Sequence, residues 1–97
     1  MGRQTSFAHQ RQVLEDLASK LSLLENSLIE LAQKYERDVT ALHEEQGLMD
    51  EVYMEYRDNH LSAVKAGLEE LAANIVAKNI PFVEKELDFI ASREEFM

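Results

Sequence analysis

A chain of 97 residues forms one domain at most, and a chain this short gains more from a partner's surface than from a core of its own. Its hydrophobic fraction of 45% excludes a disordered acidic tail, and its charged fraction of 30% interrupts the apolar residues too often for a membrane span. The absence of cysteine excludes disulfides, thiolate metal sites and cysteine nucleophiles.

The net charge of −9 is unevenly distributed. Residues 1–35 carry four acids and four bases, whereas residues 36–97 carry fifteen acids and six bases. An acidic surface repels phosphate backbones and anionic lipids, so we expect neither direct nucleic-acid binding nor membrane docking. A basic protein partner is compatible with it. No charged and then apolar leader opens the chain, so we expect a cytoplasmic location.

The first predicted element is a long helix over about residues 6–46. Its heptad a positions are Phe7, Leu14, Leu21, Leu28, Tyr35, Leu42 and Met49, and its d positions are Gln10, Leu17, Leu24, Leu31, Asp38, Glu45 and Val52. A spacing of three and four residues keeps one stripe facing a partner, as in a coiled coil or helical bundle. We therefore predict an oligomer seam, formed by Leu14, Leu17, Leu21, Leu24, Leu28, Leu31, Tyr35 and Leu42.

Further apolar residues widen this stripe, namely Leu23, Ile29, Ala32 and Val39. The greater width favours a bundle of three or four helices over a two-stranded rope. At about 1.5 Å per residue the helix would be about 60 Å long, longer than a compact domain of this size is wide. The sequence therefore predicts a rod.

A turn near residues 47–49 is predicted to end the first helix. Gly47 suits the left-handed residue that closes a helix, and Asp50 is a candidate cap for the next one. The acids around this turn form a candidate acidic tip for a basic partner, and they are Glu44, Glu45, Asp50 and Glu51.

His43 beside two glutamates resembles the beginning of a zinc-protease motif. That motif requires a second histidine four residues later, where this chain has Gly47. Di-iron sites in bundles require a glutamate three residues before a histidine, and the residues at that position are Ser6, Thr40 and Arg57. We expect solvated charges here, with neither a metal site nor a cofactor.

A second helix is predicted over about residues 50–78. Its apolar series changes phase between Tyr56 and Leu61, and a run of four-residue steps would keep the helix continuous and place His60 on the inner stripe. There His60 would sense pH or fix the register, or would simply reach solvent, which is the commoner case. The alternative reading ends a short helix at Arg57 and caps a new one with Asp58 or Asn59.

A third helix is predicted over about residues 81–95, because Pro81 is tolerated best in a first helical turn. We expect a break near Lys78 and Asn79 before it. This helix carries the candidate partner-binding residues Phe82, Phe89, Phe96 and Ile90. Aromatic anchors at helical spacing are used in helix-in-groove recognition, although packing against the first helix is the commoner role of such a stripe.

Together these elements predict an all-α fold over residues 1–97, a long antiparallel helical hairpin with a short C-terminal helix. Two chains are expected to pair into a dimeric four-helix bundle or coiled coil, because a two-helix hairpin leaves apolar stripe uncovered. No serine or threonine lies in a strained glycine-flanked turn, and no glycine-rich phosphate cradle is present, so we expect no enzymatic activity.

The expected function is that of a small acidic oligomerising adaptor, assembly factor or chaperone-like protein. The alternative is an acidic inhibitor protein that occupies the basic nucleic-acid-binding surface of a target protein.

Overall fold

The chain is all-helical over residues 6–95, the range that this computed structural model describes, and the prediction of an all-α fold is confirmed. Four α-helices follow one another, α1 (Phe7–Glu44), α2 (Asp50–Tyr56), α3 (Ser62–Asn74) and α4 (Ile80–Glu95). Two π-helical turns, Arg57–Leu61 and Ile75–Asn79, join the last three helices. Residues 50–95 therefore follow one helical path, which we call the second segment.

Both ends of α1 are closed by local hydrogen bonds. At the start, the Ser6 hydroxyl oxygen accepts a bond from the His9 amide at 3.1 Å. At the end, Gly47 has a φ of 79°, and the Leu48 amide donates to the Leu42 carbonyl at 2.9 Å. Only glycine adopts this left-handed conformation without a steric penalty, so the predicted role of Gly47 is confirmed.

The expectation that Asp50 caps the next helix was wrong. Met49 occupies the cap position and makes no side-chain capping bond, while Asp50 is the first residue of α2. The Asp50 carboxylate is instead hydrogen-bonded to the imidazole Nε2 of His43 across the turn. In the first turn of α2 its charge still lies at the positive end of the helix dipole.

A π-helical turn replaces the break expected near Lys78 and Asn79. The Ile80 amide bonds to the Ile75 carbonyl, five residues back, and α4 begins at Ile80 with Pro81 as its second residue. A proline lacks the amide that an α-helical turn would use, and its ring crowds the preceding turn. A wider turn just before the proline accommodates both features, so the helical path continues through Pro81.

The other π-helical turn lies where the apolar series changes phase. Here the Ser62 amide bonds to the Arg57 carbonyl, and every residue from Tyr56 to Ser62 keeps a helical path. The helix therefore continues through His60, and neither Asp58 nor Asn59 caps a new one. The added residue rotates the helix so that Leu61, which is buried, faces α1.

The second segment packs along α1 in reverse chain order. Tyr53 contacts Thr40, with 3.4 Å between their hydroxyl oxygens, and Lys65 lies 3.3 Å from the Glu36 carboxylate. Further along, α4 also packs against α1. The resulting rod measures 68 × 24 × 19 Å, and its radius of gyration of 20.9 Å exceeds the ~12.5 Å of a compact domain of this length.

A narrow apolar seam separates α1 from the second segment. The buried residues of the described range are Ala32, Val39, Leu61, Ala72, Ile75, Val83 and Ile90. Ala32 and Ala72 are small enough to let the two helices approach closely, and Val83 is only 1% exposed. On α1 the covered residues are the heptad a and e positions, because Ala18, Glu25, Ala32 and Val39 are sheltered while Leu17, Leu24 and Leu31 are not.

Candidate functional site

One side of the helical pair carries a series of exposed apolar side chains. Each of these side chains directly precedes, in the sequence, a residue that is buried or half-buried in the seam between α1 and the second segment. They are Leu17, Leu24, Leu31 and Leu42 on α1, and Val52, Tyr56, Val64, Leu71, Phe82 and Phe89 on the second segment. We call this surface the apolar side.

Helix geometry places all of these residues on the same side of the pair. Successive residues of an α-helix are rotated by about 100°, so the residues that precede Ala18, Glu25 and Ala32 lie on one flank of α1. Since α1 and the second segment contact each other in reverse chain order, these flanks of the two helices coincide. A shared groove supports this placement directly. Its volume is about 350 Å³, and its lining includes Leu21, Leu24, Leu28, Leu71 and Ile75.

The opposite flank, which we call the polar side, holds the residues that directly follow a seam residue. Most of them are polar or charged, including Ser19, Asn26, Gln33, Glu44, Asp58, Ser62, Glu69 and Glu84. The ion pair between Glu36 and Lys65 lies along this flank. Its exposed large apolar residues include Ile29, Met54 and Val76. The two sides therefore differ in chemistry although the same two helices build both.

The structure divides the residues of the predicted oligomer seam between two surfaces. Leu14, Leu21, Leu28 and Tyr35 are half-buried in the contact between α1 and the second segment. Leu17, Leu24, Leu31 and Leu42 are exposed on the apolar side. The a positions from Leu14 to Tyr35 thus pack within the chain. Leu42, which is also an a position, and the leucines at d positions remain without a covering element in the single chain.

The candidate partner-binding residues of α4 are also divided. Phe82 and Phe89 lie on the apolar side with 59% and 53% of their surface exposed, and the Arg93 guanidinium lies 4.9 Å from the Phe89 ring centre. Ile90 is buried, so it belongs to the contact between α4 and α1 instead of a free binding surface. Phe96 lies outside the described residues.

Polar and aromatic contacts join the two helices near the turn. The hydroxyl groups of Tyr35 and Tyr56 are hydrogen-bonded to each other, and this bond raises the pKa of Tyr35 above its ordinary value of 10.0. The imidazole of His43 stacks on Tyr53, with 4.4 Å between the ring centres. Arg57 lies over the same tyrosine and pairs with Asp58, and the hydrogen bond to that carboxylate raises the pKa of Arg57. These contacts fix the corner of the rod.

The four residues of the candidate acidic tip are all exposed, and they are Glu44, Glu45, Asp50 and Glu51. Asp50 is committed to His43, which leaves it less free to act as a ligand. Over residues 6–95 the structure brings together no group of three acids or histidines that could hold a metal ion. None of the helices in that range is apolar enough over a sufficient length to cross a bilayer.

Comparison with known proteins adds no assignment to this geometry. No family profile matches the chain, and no curated protein or solved structure is significantly similar to it. The function must therefore be argued from the surface itself.

Proposed function

We propose that this chain is a non-enzymatic protein-interaction module, a small acidic adaptor, assembly factor or chaperone-like protein that acts as an oligomer. In this proposal α1 and the second segment form an antiparallel hairpin, and two hairpins pair as a dimeric four-helix bundle. The observation that carries it is the apolar side, where leucines at heptad spacing and two phenylalanines face solvent in the single chain. No catalytic residue and no cofactor is required.

The exposed area of the elongated single chain is large enough for a covering partner. A monomeric protein of 11.2 kDa is expected to expose about 5,700 Å². This chain exposes 7403 Å², which is larger by more than the roughly 800 Å² per partner that a standard interface buries. Exposed leucines and phenylalanines that recur along one side of the rod are typical of an interface.

Light scattering over a salt series tests the proposal. The expected mass at micromolar concentration is twice that of the 11.2 kDa chain, with little change as salt rises, because apolar burial is not screened by ions. A monomer under these conditions would sink the dimer. A dimer that dissociates steeply with salt would also contradict the proposal, since it would be held by charge.

The exposed acidic tip favours one alternative function, that of an inhibitor that presents carboxylates to the basic nucleic-acid-binding surface of another protein. This function predicts capture of a basic partner that elutes steeply with salt and that is lost when Glu44 and Glu45 are replaced by glutamine. Capture that resists salt and is lost on Phe89→Ala would instead identify the aromatic residues of α4 as the contact.

A further inference from the structure

The series of heptad d positions on α1, which does not include the exposed Leu42, is symmetric about Leu24. At heptad spacing it reads polar, leucine, leucine, leucine, polar, and the five residues are Gln10, Leu17, Leu24, Leu31 and Asp38. Each directly precedes a covered residue, so all five lie on the same flank of the helix. If the helix is turned end to end about Leu24, the order of polar residues and leucines is therefore unchanged.

Four of the six apolar-side residues of the second segment form a matching symmetric series. Val64 and Leu71 lie seven residues apart before the π-helical turn at Ile75–Asn79, and Phe82 and Phe89 lie seven apart after it. The midpoint of this series falls between residues 76 and 77. The groove that Leu21 and Leu24 share with Leu71 and Asn79 shows that this midpoint lies beside Leu24. Both helices therefore have their centre of symmetry at the same level of the rod.

A two-fold interface requires such self-complementarity, because a contact from one copy to the other must also occur in reverse. Suppose that two copies stack in opposite directions, with their Leu24 side chains at the centre of the contact. Leu17 then contacts the partner's Leu31, and Leu24 contacts the partner's Leu24. On the second segment, Leu71 and Val64 meet the phenylalanines of the partner. Apolar residues then face apolar residues along about four helical turns of α1.

Charge also favours the opposite direction over a parallel arrangement. Residues 43–58 hold six acids and one base, namely Glu44, Glu45, Asp50, Glu51, Glu55, Asp58 and Arg57. A parallel pair would place these two acidic tips side by side, where like charges repel. In the antiparallel pair each tip lies about 32 Å from the axis at Leu24, so the tips are about 60 Å apart. That separation is many times the Debye length of about 8 Å.

We infer that two copies of this chain pack their apolar sides together, antiparallel, about a two-fold axis that passes close to Leu24. This inference rests on the proposed dimer and adds its orientation. Both acidic tips then point outward at opposite ends of the assembly, free to contact other proteins.

Disulfide trapping tests the orientation, because the chain has no cysteine of its own. Three single-cysteine variants of the full chain are compared under mild oxidation, with helical content checked by circular dichroism and mass by sedimentation. Leu24→Cys is expected to cross-link most of the chains, because a residue on the axis meets its own counterpart. Glu45→Cys at the tip and Asn26→Cys on the polar side are expected to stay uncross-linked.

The outcomes separate the orientation from the dimer itself. Rapid cross-linking of Glu45→Cys but not of Leu24→Cys in a dimer would establish the parallel arrangement and overturn the inference alone. A dimer that cross-links through Asn26→Cys, or through none of the three, would show that another surface closes it, which also overturns the inference. A chain that sediments as a monomer with full helical content would overturn the proposed function as well.

Discussion

The two sides of the helical pair share the same backbone but differ in the side chains that they expose. Residues that precede the seam include Leu24, Leu71 and Phe82, whereas residues that follow it include Asn26 and Glu84. The packing of α1 on the second segment requires only the seam between them, so a monomer could carry polar residues on both flanks. The large exposed apolar residues are concentrated on one flank, although Ile29, Met54 and Val76 lie on the other. If the proposed dimer covers the apolar side, changes on the two sides should have unequal effects.

The largest difference is expected between a charge at Leu24 and a charge at Asn26. Leu24→Glu places two unpaired carboxylates, one from each copy, in the proposed interface, at a cost of about 3 kcal/mol per dimer. The dissociation constant should rise about 100-fold. Sedimentation equilibrium measures it directly. Asn26→Glu, about half a turn away on the polar side, should leave the constant unchanged, and equal effects of the two variants would abolish the distinction between the sides.

A change in the seam should affect folding more than association. Val83 is 1% exposed, and Val83→Ala removes two methyl groups from the buried face of α4, the helix that packs against α1. The free energy of unfolding, followed by urea denaturation at a fixed protein concentration, should fall by about 2 kcal/mol while the dimer mass is retained at high concentration. Glu84→Ala, its exposed neighbour, should change the free energy by less than about 0.5 kcal/mol.

Phe89→Ala is expected to act in the opposite sense, weakening association more than folding. About half of its ring is already covered within the chain, so the dimer loses less than a full aromatic contact per copy. We expect a rise of about tenfold in the dissociation constant. Val76→Ala is the matched control, since Val76 is exposed on the polar side. If Val76→Ala weakens the dimer as much as Phe89→Ala does, the covered surface is not the apolar side.

The smallest effect concerns Tyr56, which lies on the apolar side but bonds its hydroxyl to Tyr35. In a Tyr53→Phe background, replacing Tyr56 by phenylalanine leaves Tyr35 as the only tyrosine, and its pKa should fall back toward 10.0. Ultraviolet absorbance of tyrosinate measures this change. Because the folded chain holds the Tyr35 proton more tightly than the unfolded chain, this stabilisation is complete below pH 10 and is lost as pH rises through the raised pKa. An unchanged titration of Tyr35 would show that the two hydroxyls do not bond in solution.

The sequence pattern predicted where the helices lie in the chain, but it did not predict which face of each helix contacts the other. The heptad period identifies α1, and the lone glycine between two helical patterns identifies the corner at Gly47. The period does not reveal whether the intramolecular contact uses positions a and d or positions a and e, because both are spaced by three and four residues. The small e residues Ala18 and Ala32 were the available signal, since close packing of two helices favours small side chains.

The second segment was harder to predict because π-helical turns have no fixed sequence signature. The phase change near His60 and the proline at residue 81 both indicated an irregularity, yet one was compatible with a new cap and the other with a break. In the structure each irregularity is absorbed by one inserted residue in a π-helical turn, which keeps the helix continuous and returns its apolar face to α1. The division of the phenylalanines, with Ile90 buried and Phe89 exposed, follows from that rotation.

Two valines of nearly equal exposure give the most direct test of whether the apolar side is covered. In the single chain Val64 on the apolar side is 47% exposed and Val76 on the polar side is 48% exposed. Hydroxyl-radical footprinting of the native protein, read by mass spectrometry, compares the oxidation rates of these two identical side chains. We predict that Val64 is protected several-fold relative to Val76, and that dilution below the dissociation constant removes the difference. Equal oxidation of the two valines at all concentrations would contradict a partner on the apolar side.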